Sequence, residues 1–300
     1  MFDFKKTKML QAAQASPTAP SSFWIYLSIF LLVFLASSLG QSLIVLPLQF
    51  LAIQCSLPYV WVTMAHLFST AITILVCIFY CIKFEKRNFQ SLGLARAGGG
   101  LEYLAGLGIG FVMLALPAVL CIAMGQATLQ PAGEFSQLPW GMILLFFVAF
   151  LVQGMSEEIL CRSFLLVSLS RGHKPWVCIL TNSLLFAALH IFNQGITPLA
   201  LLNLTLFGIF ASIYMLRRGS VWGIAAIHSM WNFTQGNIFG VAVSGMTNSP
   251  TLWCWTYHPQ TWWLNGGTFG LEGGLAVTGV LVVGIVVILA TKTKSSEVVK

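Results

Sequence analysis

Of 300 residues, 57% are hydrophobic and 8% charged, where an ordinary soluble domain carries about 25% charged residues. With a mean hydropathy of +0.86, this chain has more apolar surface than a soluble globule can hide. The formal charge of +7 does not point to nucleic acid, because the Lys and Arg residues cluster between apolar segments instead of lining one face.

Residues 1–22, basic and then small and polar through AQASPTAPSS, read as a disordered cytoplasmic tail. The apolar run from Phe23 is too long for a signal-peptide core and is followed by no small-residue cleavage site, so it reads as an anchor. Eight continuously apolar spans follow, at about 23–50, 59–83, 101–125, 139–170, 175–192, 197–217, 220–240 and 272–291. They are read as helices, since their pattern does not alternate and lipid demands that backbone groups be satisfied within the segment. The expectation is an all-α polytopic bundle of about eight transmembrane helices. It is a single domain over 23–291 with its catalytic core at about 139–240, closed by a second cytoplasmic tail at 292–300.

The basic residues test the count, because short cytoplasmic connections are the ones enriched in Lys and Arg. Lys5, Lys6 and Lys8 precede the first span; Lys83, Lys86, Arg87 and Arg96 follow the second. Arg171 and Lys174 follow the fourth, Arg217 and Arg218 the sixth, and Lys292, Lys294 and Lys300 the last. The intervening connections near 51–58, 126–138, 193–196 and 241–271 hold no Lys or Arg. Both termini are therefore expected in the cytoplasm, with a bacterial plasma membrane as the setting.

The 241–271 connection carries Trp253, Trp255, Trp262 and Trp263. It reads as an interfacial loop on the outer leaflet, with a lid or substrate contact as the alternative. Seven cysteines form no CxxC pair; five fall in or beside apolar segments and read as small hydrophobes. Cys55 and Cys254 share the outer side, where a disulfide between them is conceivable.

Glu157 and Glu158 sit adjacent within the fourth span, in GMSEEILCRSF. Ionisable groups at that depth cost several kcal/mol and are functional candidates by default. Arg162 lies four residues beyond Glu158, on the same helix face, so Glu158 has a local partner and the two also read as a structural ion pair. Glu157 is about 100° round the helix and needs another partner. His190 in FAALHIF and His228 in IHSMWNF follow in later spans, with Asn232 one turn past His228. Counted from the cytoplasmic ends at about 1.5 Å per residue, Glu158 lies about 18 Å deep, His190 about 22 Å, His228 about 14 Å and Asn232 about 20 Å. Four polar groups at similar depth on three helices can share one cavity. Asn203, about 21 Å deep, is a weaker candidate for a supporting position. His66 reads as a helix-to-helix hydrogen-bond donor.

Such a set suits attack of water on a carbonyl: a carboxylate takes a proton from water, a histidine assists, and a histidine with an amide donates to the oxyanion. Two histidines and a glutamate can also bind zinc or another divalent metal, in which case the ligands would be Glu157, His190 and His228. The chain has no HExxH, which leads to the expectation that purified protein holds no stoichiometric zinc.

Taken in order, EExxxR at Glu157, Glu158 and Arg162, FxxxH at Phe186 and His190, and HxxxN at His228 and Asn232 resemble the CPBP family of intramembrane endopeptidases. That family includes the CAAX-processing proteases and bacterial proteins linked to bacteriocin processing and immunity. The resemblance covers about residues 139–240, and RRGSVWGIAAIHSMWNF looks like its bacterial branch. It implies that Glu157 is the general base with His190 assisting, that His228 and Asn232 stabilise the oxyanion, and that Glu158 with Arg162 organises the site. The implied partners are the lipid bilayer and a peptide or lipidated protein substrate, with no nucleic acid. Two other classes stay open: a non-catalytic peptide-binding immunity or scaffold protein on the same fold, and a proton-coupled transporter.

Overall fold

The computed structural model describes residues 7–95, 97–247 and 250–291. The charges at Lys5, Lys6, Arg96, Lys292, Lys294 and Lys300, and the expected tail at 292–300, lie outside the described residues. The bundle is all-α apart from one short ribbon, and each expected span is found. α2 (Phe23–Gln54) is followed by α3 (Val60–Ser69) and α4 (Ala71–Lys83), which together make the second span. α5 is Gly99–Ala123 and α6 is Trp140–Glu158; α6 continues through a π-helical stretch, Ile159–Leu166, into α7 (Val167–Ser170). Then come α8 (Pro175–Ala188), α9 (Pro198–Arg218), α10 (Trp222–Phe233) and α12 (Leu275–Ala290), with the single-turn α11 (Trp262–Asn265) before the last.

Five segments are long and apolar enough to cross a membrane: Phe23–Gln54, Val60–Lys83, Gly99–Ala123, Trp140–Ser170 and Pro198–Arg218. The other three are shorter than expected, each for a local reason. α8 stops at Ala188 and gives way to turns that reach Gly195 at φ +76°. α10 keeps its α-helical form only to Phe233 and widens into a π turn, Thr234–Ile238. α12 starts at Leu275 because Leu271–Gly273 is wound as a 3-10 turn between glycines.

Two parts of the sequence reading need correction. The N-terminal stretch is ordered over its described part: α1 (Lys8–Gln14) is capped by the Thr7 hydroxyl, which accepts from the Leu10 N–H, and it buries Met9, Leu10 and Ala13. Seven residues with three buried apolar side chains are too short a pattern to stand out beside the membrane spans. The connections expected on the outer side are not simple interfacial loops either. β1 (Ala127–Pro131) pairs antiparallel with β2 (Trp253–Tyr257), Leu129 opposite Trp255. The Trp-rich stretch is thus tied to the connection between α5 and α6, though Trp262 and Trp263 stay exposed. Cys55 and Cys254 are both exposed and free; the other five cysteines are buried and free.

Close helix contacts fix the core. Gly106 and Gly110, a GxxxG pair on α5, meet α10: a Cβ on Gly106 would collide with the Gly223 carbonyl oxygen, and one on Gly110 with that of Ile227. On α6, a Cβ on Gly154 would reach 2.4 Å from the Ser229 hydroxyl and 2.7 Å from its amide nitrogen. Small residues at these points let the backbones approach, which brings the Glu157 turn of α6 beside the His228 turn of α10. At the basic end, Arg87 is buried instead of marking an open loop. Its guanidinium pairs with Glu85 at 3.1 Å and donates to the Ser163 carbonyl at 2.7 Å and the Ser168 hydroxyl at 2.9 Å. It thereby engages the π-helical stretch.

Gly154→Ala and Gly110→Ala should each lower stability by about 1–3 kcal/mol through overpacking. Gly108→Ala, with nothing within 4 Å of the new methyl group, should not. Thermal unfolding in detergent reads the difference.

Candidate active site

Glu157 and Glu158 occupy the last turn of α6, where the helix passes into its π-helical stretch. Wide turns of this kind are frequent at functional sites. Successive positions send the two carboxylates to different places. Glu158 is fully buried and Arg162, one turn on, pairs with it at 3.0 Å with both side chains sealed from solvent. Glu157 keeps 27% of its side chain exposed and lines a cavity of about 730 Å³. His190, His228 and Asn232 line the same cavity, as does Asn203. Glu158 and Arg162 are not among its walls.

His228 joins the two carboxylates. Its Nδ1 lies 2.8 Å from Glu158 Oε1 and its Nε2 lies 3.6 Å from Glu157 Oε2. Glu158 Oε1 already accepts from Arg162 and accepts again here, so Nδ1 is the donor and Nε2 is the atom turned to Glu157. The sequence reading paired Glu158 with Arg162 alone; the structure adds His228 as a second partner of the same oxygen. The ring is held further by aromatic faces: Phe186 and Phe207 meet it at centroid distances of 6.0 and 4.9 Å. The Arg162 guanidinium lies 4.5 Å from the Phe186 ring centre, a cation over a π face. The phenylalanine of FxxxH therefore packs against both the arginine and the histidine of the other two motifs.

Gln153, one turn before Glu157, was absent from the sequence reading. Its Nε2 donates to Glu157 Oε1 at 2.5 Å, while its Oε1 accepts from Asn232 Nδ2 at 2.9 Å. Glu157 and Asn232 are thus linked through one amide. A glutamine four residues before an intramembrane glutamate was the signal available for it. His190 stands in the same cavity on its own support: Nδ1 lies 2.9 Å from the Phe186 carbonyl oxygen. A carbonyl can only accept, so in the neutral ring Nε2 is left with a free lone pair.

Three further polar residues, Asn203, Glu272 and His66, border the cavity. Asn203 donates to the carbonyls of Glu272 at 2.7 Å and Gly274 at 2.9 Å, and accepts from the Thr278 hydroxyl at 2.6 Å. These bonds occupy it in anchoring the approach to α12. Glu272 borders the cavity and accepts from Trp231 Nε1 at 3.1 Å and from both the amide and hydroxyl of Ser244 at 2.8 Å. His66, read as an interhelical donor, is exposed on the cavity wall. As for metal, among the described residues no group of three or more His, Cys, Asp or Glu is gathered closely enough to hold an ion.

The two glutamates should separate in a stability measurement. Glu158→Ala, which strands Arg162 in the core, should cost about 3–5 kcal/mol, whereas Glu157→Ala, at the cavity wall, should cost less than about 1 kcal/mol. Chemical or thermal unfolding in detergent provides the comparison.

Residues 139–234 match the family described as type II CAAX prenyl endopeptidase, Rce1-like. The matched stretch runs from α6 into the π turn after α10 and contains every residue of the three motifs. No curated protein and no solved structure matches the chain.

Proposed function

From its place in the CPBP and CAAX protease family, carried by the Rce1-like stretch, we propose that this integral membrane protein is an endopeptidase that cleaves with water activated by Glu157. The observation that carries the reading is the Glu157 and His228 pair. Two groups able to bind one proton or one water face each other at 3.6 Å on the wall of a cavity large enough for a peptide segment. At that spacing a water can bond both Glu157 Oε2 and His228 Nε2.

Glu157 takes a proton from this water as the water oxygen bonds to the peptide carbonyl carbon. The carbonyl oxygen becomes an oxyanion. The Asn232 amide, with one N–H engaged by Gln153, has a second to donate to that oxygen. Collapse breaks the C–N bond, and the proton held by Glu157 goes to the leaving nitrogen. Glu158 touches no reacting atom in this scheme; it orients His228, supported in turn by Arg162. His190, with Nε2 free to accept, serves proton movement. The steps use these side chains alone. One tightly bound zinc per chain in elemental analysis, with activity lost to chelator and restored by zinc, would replace this scheme.

Substrates of this reading are peptides in or beside the bilayer, whether lipidated or not. Glu157→Gln should lower kcat/KM by about 10²–10⁴-fold on a quenched fluorescent peptide, with the unfolding midpoint kept. Undiminished turnover by that variant would sink the mechanism. A biological effect that survives loss of turnover would favour the binding or scaffold role.

A further inference from the structure

The cavity has a direction. Its walls include Phe34, Glu157, Leu160 and Leu281, and they extend to Gln49 in the last turns of α2, Tyr59 before α3, Asn193 and Gln194 after α8, and Val243–Thr247. Among the described residues, none from the connections that carry Lys or Arg borders it. The two ends of the bundle are also knit separately. At one end β1 pairs with β2, and Asn193 donates to the Ser244 carbonyl at 3.0 Å, joining three of the connections that lack Lys and Arg. At the other, Thr18 and Ser16 bond the Glu85 carbonyl, Arg171 donates to Thr18, and the Val221 amide donates to Gly93 at 3.1 Å. The fold thus sorts the basic and non-basic connections onto opposite ends, without reference to their charge.

The walls are also selective in charge. They include the carboxylates of Glu157 and Glu272, the imidazoles of His66, His190 and His228, and polar neutral groups such as Gln41, Thr63 and Thr73, but among the described residues no Lys or Arg. Among the described residues no Lys or Arg stands there for an acidic side chain or a terminal carboxylate.

Resting on the endopeptidase reading above, we infer that the substrate is a neutral or cationic internal peptide segment presented from the extracytoplasmic side, instead of an acidic or carboxylate-ended tail offered from the cytoplasm. The positive-inside rule places the Lys-free and Arg-free connections outside, and the cavity opens among them. The carboxylates attract a positive flanking residue and repel a negative one in a setting less polar than water.

The full chain in sealed right-side-out and inverted vesicles tests the direction without any turnover. Cys55 and Cys254 are the exposed cysteines and serve as native probes for a membrane-impermeant maleimide. Thr63→Cys in a Cys55→Ser, Cys254→Ser background probes the cavity wall. Both should be labelled in right-side-out vesicles and protected in inverted ones until detergent is added. Labelling of Cys55 and Cys254 from the inverted side alone overturns the orientation; labelling of Thr63→Cys from that side alone overturns the direction of opening. In detergent, a peptide pair differing by Lys or Glu beside the scissile bond should show a kcat/KM roughly tenfold or more higher for Lys. Equal rates, or preference for Glu, overturn the charge selection. Predicted labelling with neither peptide cleaved would support the outward opening while removing the hydrolytic reading beneath it.

Discussion

A carboxylate sealed inside an apolar bundle must be matched by a positive or hydrogen-donating group, because its unpaired form costs several kcal/mol. Glu158 is that carboxylate. One of its oxygens serves both Arg162 at 3.0 Å and His228 at 2.8 Å, so a single residue ties the π-helical stretch to α10. Much else follows from this demand. The glycines on α5 and α6 let α10 come close enough for the histidine to reach, and Phe186 fills the space between guanidinium and imidazole. With Nδ1 committed to Glu158, His228 has only Nε2 to offer the cavity.

Two adjacent glutamates therefore do different work for a geometric reason. Neighbouring positions on a helix point about 100° apart, so one faces the packed interior and the other the cavity. Burying the first makes the second useful, since it fixes the position of the histidine that Glu157 faces. Gln153 and Asn232 complete the arrangement with amides, which donate and accept without adding charge to the site.

Much of this was legible in the sequence because lipid makes polar residues conspicuous. Glu157, Glu158, Arg162, His190, His228 and Asn232 stand out in apolar surroundings, and the turn-by-turn depth count brought the histidines and Asn232 to the level of the glutamates; four of the six line one cavity. The spacing of Glu158 and Arg162 announced their pairing. What periodicity could not tell was which acceptor His228 would choose, since that depends on how closely α6 and α10 approach at Gly154. Gln153 escaped notice because an amide among apolar residues draws less attention than a charge. The pairing of β1 with β2, the burial of α1 and the burial of Arg87 are contacts between segments far apart in sequence. For Arg87 the rule that basic residues mark open cytoplasmic loops was overridden by Glu85, Ser163 and Ser168.

On the proposed mechanism, water held by Glu157 and His228 attacks the peptide directly. Single-turnover cleavage of a quenched peptide in heavy-oxygen water containing hydroxylamine tests it most directly. The account predicts heavy oxygen in the newly formed carboxyl group and no peptidyl hydroxamate; a trapped hydroxamate, the mark of an acyl-enzyme, would contradict it.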